Sequence, residues 1–311
     1  MKTVRCTSSR LAREVIDRLN AASFFSSMGF AELWRVQGGR EVFWVTQSEE
    51  QVLAVLSGVE FGRAPLTRFQ AMPAGCYAEL VTVADTDIDR PTVAQSTIQA
   101  LTEAGYAITY LADYWSHLGP LPGAEASGCA TVLVDITDPG WQPPDRKIQS
   151  EVRKAEREGI GVERFDARRH LDGFLSLAKA TGKRHSHKPL YTERFFRQLA
   201  ALAERDARIR WQYTEYRGEP VASHVNLVLG DTLLNWQVYS DRAFSFLKPN
   251  QYMLYTAAKK AAEDGMRYLS LGTSPPDADS LAAYKHKWGG SDHCYNLYRL
   301  KSRWSRLLWR A

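Results

Sequence analysis

The stretch GMRYLSLGTSPPDADSLAAYKHKWG, Gly265 to Gly289, holds the densest chemistry in the chain. Met266 to Leu271 is a short alternating run, the pattern of a buried strand. It runs into Gly272-Thr273-Ser274, where small residues let a backbone approach a ligand. A polar, proline-containing loop follows. Then comes Tyr284-Lys285-His286-Lys287-Trp288-Gly289, a lysine set between aromatics. A strand end, a small-residue corner and a framed lysine so close together are a common way to build a site. The alternative reading of the same residues is a strand, a loop and solvated lysines.

Working outward, Asn250 is placed to cap a helix over 251–264, which Gly265 ends. Before it the pattern predicts a three-strand meander at 207–216, 221–229 and 232–240, with turns at Arg217-Gly218-Glu219-Pro220 and Gly230-Asp231. Helices are predicted at 171–180 and 192–203, joined by a basic loop from Thr181 to Pro189. A basic helix at 146–158 carries the apolar stripe Ile148, Val152 and Ala155. Asp138 to Pro144 breaks regular structure, so the sequence divides into residues 1–140 and 141–311.

The first half reads similarly. A helix capped by Ser8 or Ser9 presents Leu11, Val15 and Leu19 on one face, and an apolar docking segment runs from Phe24 to Trp34. Strands follow at about 41–46, 51–57 and 77–83, then a helix from Pro91 to Gly105 and strands at about 106–112 and 129–135. Asp85, Asp87 and Asp89 read as a solvated turn rather than a calcium loop, because the glycine and terminal glutamate of such a loop are missing. TEAGYAITYL at 102–111 and AEDGMRYLSL at 262–271 both run from helix end through glycine to strand, with the glycines 160 residues apart. The chain therefore looks like a duplicated ββ…βαβ unit.

A strand ending in L-G-x-S, a loop, and then aromatic-Lys-x-x-aromatic-Gly resembles the closing signature of the Fem-type (FemABX) family, a tandem-domain branch of the GNAT acyltransferases. Residues 146–162, RKIQSEVRKAEREGIGV, resemble that family's basic helix between its halves. The passage from Asp241 through Pro249-Asn250 to Lys259-Lys260-Ala261 resembles its strand–loop–helix segment. The resemblance spans about residues 40–300. It implies an α/β (α+β) fold of two tandem GNAT-like domains with mixed central sheets. The implied activity moves an aminoacyl group from aminoacyl-tRNA to an amino group, on a peptidoglycan precursor or a small amino-containing metabolite. Lys285 matches the family's active-site lysine, with Tyr284 and Trp288 as its frame. His224, Trp236, Tyr239 and Asp241 lie on central strands or their ends, where an acceptor pocket would form. Asp241 can hold the acceptor amine or act as base, or it can cap a turn. His224 and Trp236 also read as core residues. Ser274 can orient a substrate carbonyl or serve as a turn hydroxyl.

Ordinary GNAT enzymes grip the coenzyme A pyrophosphate with a glycine-rich turn before the central helix. Backbone N–H groups aimed from a helix start do that work, and glycine allows the close approach. No glycine lies between Asp231 and Asp264, or between Gly75 and Gly105. This points away from acetyl-CoA and agrees with the Fem-type resemblance, which implies aminoacyl-tRNA as donor and no further cofactor. An N-acyltransferase using acyl-CoA or an acyl carrier is the second reading. A non-catalytic protein that binds RNA or a cell-wall precursor is the third. No Cys or Ser triad is visible, so the acceptor amine attacks directly.

The 311 residues suffice for two domains, and 44% hydrophobic with 24% charged residues is a globular composition. Cys6, Cys76, Cys129 and Cys294 lack paired spacing and read as reduced, mostly buried thiols. His185-x-His187 stands in a basic loop with no nearby carboxylate or Cys, so no metal site is expected. The N-terminus has no apolar signal core and no apolar run is bilayer-length, which predicts a cytoplasmic protein. Residues 167–198 hold eight Lys/Arg against two acids and residues 285–310 seven against one, together +12 on a chain of +5. That concentration predicts an anionic partner, with Lys183, Arg184, Lys188 and Lys287 as contacts for tRNA phosphates. Leu300 to Arg310 reads as a basic amphipathic helix that docks on the domain, touches a membrane surface or touches RNA.

Overall fold

The computed structural model describes residues 1–7, 23–49, 51–83, 89–185, 190–275 and 278–302. The predicted first helix, Asp85 and Asp87, the loop residues Ser186 to Pro189 with Lys188, the side chain of Arg184 and the tail from Arg303 lie outside the described residues. The chain forms two compact units, Met1–Cys129 with Cys294–Ala311, and Ala130–His293.

The first unit contains β1 (Lys2–Cys6), α1 (Met28–Leu33), β2 (Arg40–Ser48), β3 (Gln51–Phe61), β4 (Arg68–Gln70), β5 (Leu80–Thr82), α2 (Arg90–Glu103) and β6 (Ile108–Asp113). Ser27 caps α1 by accepting from the Phe30 N–H, and Phe24, Phe25, Phe30 and Trp34 are buried, as the docking segment requires. β1 to β4 run antiparallel in sequence order. β4 then pairs in parallel with β6. Asp89 caps α2, and Pro91 stands in its first turn, where a missing N–H costs nothing. Gly105, at φ +70°, turns the chain from α2 into β6.

β7 (Glu125–Asp135) crosses the division, and its last residues pair antiparallel with a strand of the second unit. The second unit continues with α3 (Arg146–Arg157), β8 (Glu163–Arg164), α4 (Ala167–His185), α5 (Glu193–Ala203), β9 (Ile209–Tyr216), β10 (Glu219–Leu229), β11 (Thr232–Ser240), α6 (Pro249–Glu263), β12 (Tyr268–Thr273) and α7 (Asp279–His286). β8 to β11 form an antiparallel meander. β11 and β12 are parallel, joined through α6. The core beneath α3 and α6 gathers Ile148, Val152, Leu233, Leu254, Leu269 and Trp288. Both units thus carry a strand–helix–strand crossover into a parallel pair, turned by Gly105 in one and by Gly265 (φ +79°) in the other.

Four expectations are corrected. The division falls at Cys129/Ala130, not at 140/141, because the last strand, β13 (Ser291–Lys301), pairs antiparallel with β6, Asn296 opposite Asp113. β13 also takes Leu300 and Lys301, which the sequence assigned to a helix. Thr181 to His185 extend α4 rather than forming loop, since Gly182 stays helical. Asn250 does not cap α6: Lys248, in the left-handed region at φ +59°, precedes Pro249 and starts the helix without a side-chain cap. Of the four free cysteines only Cys76 is buried, and Cys294 is exposed. No described helix is long and apolar enough to cross a membrane.

Candidate active site

The C-terminal ends of β11 and β12 set the site. The two strands stay paired only from Thr232 to Leu234 and from Tyr268 to Ser270. Both run on for several residues beyond that contact, β11 to Ser240 and β12 to Thr273. Parted ends of parallel strands are where open α/β sheets take ligands.

On β12 the ladder to β7 slips. Ser270 faces Leu133 and Thr273 faces Thr131, so two residues of β12 stand opposite one of β7. Gly272, at φ +70°, lies in this bulge, where the positive φ favours glycine. The Ser270 hydroxyl bonds Thr131 Oγ1 at 3.2 Å and accepts from the Gly272 N–H at 3.4 Å, which holds the bend. The bulge turns the Gly272 carbonyl out of the ladder, and Lys285 Nζ donates to it at 2.8 Å.

Lys285 is 6% exposed and is the one residue of α7 that is buried, while Leu281 on the same helix is 41% exposed. A helix that hides its lysine and exposes its leucine inverts the usual order of hydrophobicity. No carboxylate pairs with Lys285 among the described residues, and burial lowers its pKa to about 8. Ser274 Oγ, two residues past the bulge, is buried without a hydrogen-bond partner among the described residues. A buried amine without a carboxylate is the kind of perturbed group that clusters at functional sites.

The frame of the lysine differs from expectation in one respect. Trp288 is fully buried, packs edge-on against Tyr284 at 6.4 Å and stacks on Trp141 at 6.5 Å, so it braces Lys285 from within the core. Burial pushes the Tyr284 hydroxyl up to about 12, with the Trp288 indole opposing the shift.

Along β11 the other residues separate. Tyr239 and Gln237 line a cavity of about 670 Å³ with Tyr191, Phe196, Asp172 and Lys179. The Tyr239 hydroxyl donates to Gln237 Oε1 at 2.9 Å, and burial raises its pKa above the ordinary tyrosine value. Trp236 packs on Tyr191 at 4.9 Å. Asp241 caps the short 3-10 turn Arg242–Leu247, accepting from the Ala243 N–H at 2.9 Å. His224 is 1% exposed and sits on β10 inside the sheet. Lys183 is exposed on α4, and Lys287 lies 3.9 Å from Asp145. Of the second basic segment, only the part up to His293 belongs to this unit.

Sequence reasoning missed the Gly272 carbonyl, Gln237 and the carboxamides around His224. Asn226, between Val225 and Leu227 in a buried strand, is the signal that was there to be read. Helix α7 was also legible, from Ala282-Ala283 and an acidic first turn.

Residues 145–286 match the family described as Acetyltransferase (GNAT) domain, and Lys285 falls inside the match. The fold is similar to that of FemX, with a TM-score of 0.73 at 15% identity over 95% of this chain and 97% of that one. It is also similar to the C-terminal domain of a putative lysylphosphatidylglycerol synthetase from Agrobacterium fabrum, with a TM-score of 0.62, 15% identity, and 95% and 94% coverage. A tandem GNAT protein from the clavulanic acid biosynthesis pathway aligns at a TM-score of 0.55 and 12% identity over 96% of this chain and 98% of that one. A search of curated proteins finds no matching sequence. The domain match at residues 145–286 supports an acyltransferase, and the fold is similar to that of tandem GNAT proteins, as the Fem-type resemblance implied.

Proposed function

We propose that this acyltransferase forms an amide by moving an aminoacyl group from aminoacyl-tRNA to an amino group, on a peptidoglycan precursor or a small amino-containing metabolite. One observation carries the choice of donor: three N–H groups of the turn before α6 are taken within the turn itself. The Ala243 N–H is held by Asp241 Oδ1, the Phe244 N–H by the Asp241 carbonyl and the Lys248 N–H by the Ser245 carbonyl. Lys248 Nζ is paired with Glu151 at 3.0 Å. A pyrophosphate needs several free N–H groups converging on it. What remains is a cavity of about 290 Å³ lined by Ser240, Asp241, Arg242, Ser245, Lys248, Pro249, Asn250 and Gln251, where Arg242 offers a cation to a phosphate of a tRNA end.

The acceptor amine attacks the ester carbonyl carbon, forming the C–N bond and a tetrahedral oxyanion. The C–O bond to the ribose then breaks, and its oxygen leaves with a proton. Lys285, with a pKa near 8, is mostly protonated at neutral pH yet holds its proton loosely. It supports the oxyanion electrostatically or gives a proton to the leaving oxygen. The cavity beside Tyr239 receives the acceptor, and the Tyr239–Gln237 pair orients it.

The second reading, an acyl-CoA or acyl-carrier donor, has the acetyltransferase-domain match in its favour. Mass spectrometry of the protein with a mixed charged-tRNA pool and candidate amines, beside calorimetry with acetyl-CoA, separates the two. New aminoacyl-amide products with no acetyl-CoA binding are expected. Tight acetyl-CoA binding and no tRNA-dependent product would replace the first reading by the second.

A further inference from the structure

A chain of buried polar groups crosses the second unit. Asn235 Nδ2 donates to His224 Nδ1 at 3.3 Å and to Asn226 Oδ1 at 2.7 Å. His224 Nε2 meets Asn250 Oδ1 at 3.2 Å, and Asn250 Nδ2 donates to the Ser240 hydroxyl at 3.1 Å. Since Nδ1 accepts, the neutral ring carries its proton on Nε2 and donates it to Asn250. Both ring nitrogens are satisfied by carboxamides, and no charged group hydrogen-bonds the ring among the described residues. Burial lowers its pKa to about 4, with the Asn250 bond opposing.

The chain ties together β10, β11 and the first turn of α6. That turn has no side-chain cap of its own. The bonds of Asn250 to His224 and Ser240 take that place from the side. Ser240 and Asn250 also line the cavity at the start of α6. An apolar residue at 224 would take a hydrogen-bond partner from two partly buried amides and let Asn250 turn away.

We propose that His224, acting through Asn250, is a positioning residue that sets how the donor is held at the start of α6, without touching substrate or the reacting atoms. The proposal rests on the reading that this cavity takes a phosphate of the donor. It does not depend on which donor supplies that phosphate.

The test is steady-state kinetics with whichever donor supports turnover, on His224→Leu, His224→Gln, Asn250→Ala and the His224→Leu/Asn250→Ala double variant. His224→Leu and Asn250→Ala should each raise the donor KM on the order of tenfold, with kcat and acceptor KM little changed. His224→Gln keeps a donor and an acceptor and should recover most of the loss. The double variant should be no worse than either single one, because both remove the same link. A fall in kcat at unchanged donor KM, additive losses in the double variant, or an unaffected His224→Leu would each overturn the proposal. Imidazole nitrogen NMR on the unmodified protein guards against variants that fail to fold. The ring should stay in the Nε2–H form from about pH 5 to 8, as the lowered pKa requires, and a titration there or the opposite tautomer would sink the network. Turnover with acyl-CoA alone would end the tRNA reading and leave this one standing.

Discussion

The two units bury charge in opposite ways. In the first, Glu60 is 2% exposed, and Arg5 Nε and Nη2 each reach its carboxylate at 2.7 Å. Tyr106 donates to the same group and Arg40 lies at 3.4 Å. Burial alone would raise the Glu60 pKa, but the Arg5 and Tyr106 hydrogen bonds outweigh it and leave it lowered. Arg35 grips the buried Glu41 in the same manner. In the second unit, Lys285 is buried against a neutral carbonyl, and Ser274 Oγ is buried without a hydrogen-bond partner among the described residues. Neutralised charge pins a fold, whereas unneutralised charge is a cost that only a ligand or a reaction repays. Two units with the same crossover thus differ in how Glu60 and Lys285 are held.

The comparison breaks most sharply at Lys285. Lys285→Met should lower turnover about 10²–10³-fold, while thermal stability holds or rises at neutral pH. The stability sign follows from linkage. With a folded pKa near 8 against an ordinary 10.5, the unfolded chain binds more protons between those values, so this group's penalty is full below about pH 8 and fades as pH rises to 10.5. Unchanged turnover in a single-turnover assay would return Lys285 to a structural role.

Glu60→Ala should do the reverse, destabilising the protein by about 2 kcal/mol while turnover per folded molecule stays constant. Its pH signature is opposite as well. The folded Glu60 pKa is lowered from 4.5, so its stabilisation is present above that value and is lost as pH falls through the folded pKa. Denaturant melts of both proteins between neutral and acid pH check this. Melts that stay parallel down to strongly acid pH would contradict it.

The smallest effect is expected at Lys183, exposed on α4. Lys183→Glu should weaken tRNA binding a few-fold and reduce the salt slope by about one. A binding isotherm that does not move across a salt series would show that the basic concentration of residues 167–198 is an ordinary solvated face.

Much of this was written locally. Alternation, helix stripes and glycines placed the meander, α6 and β12 within a few residues of their observed ends. The lysine between aromatics pointed to the one buried amine of α7. The missing glycines before α6 marked the turn whose N–H groups Asp241 and Ser245 hold. These signals depend on residues a few positions apart, which is the reach of propensity and periodicity.

What the sequence could not supply is partnership across distance. Nothing within β13 tells that Asn296 will lie opposite Asp113, and nothing within β7 tells that Thr131 will bond Ser270. His224 reads as a candidate ligand-binding residue until Asn235 and Asn250 close on it. Asn250 reads as a cap until Lys248 takes the left-handed turn ahead of it. Lys285 reads as an active-site lysine or a solvated one until the bulge in β12 presents a carbonyl to it. The sequence by itself determined the elements and the chemical types at the site. The tertiary structure decided which polar groups are satisfied and which are left open, because desolvation and hydrogen bonding depend on neighbours that only folding brings together.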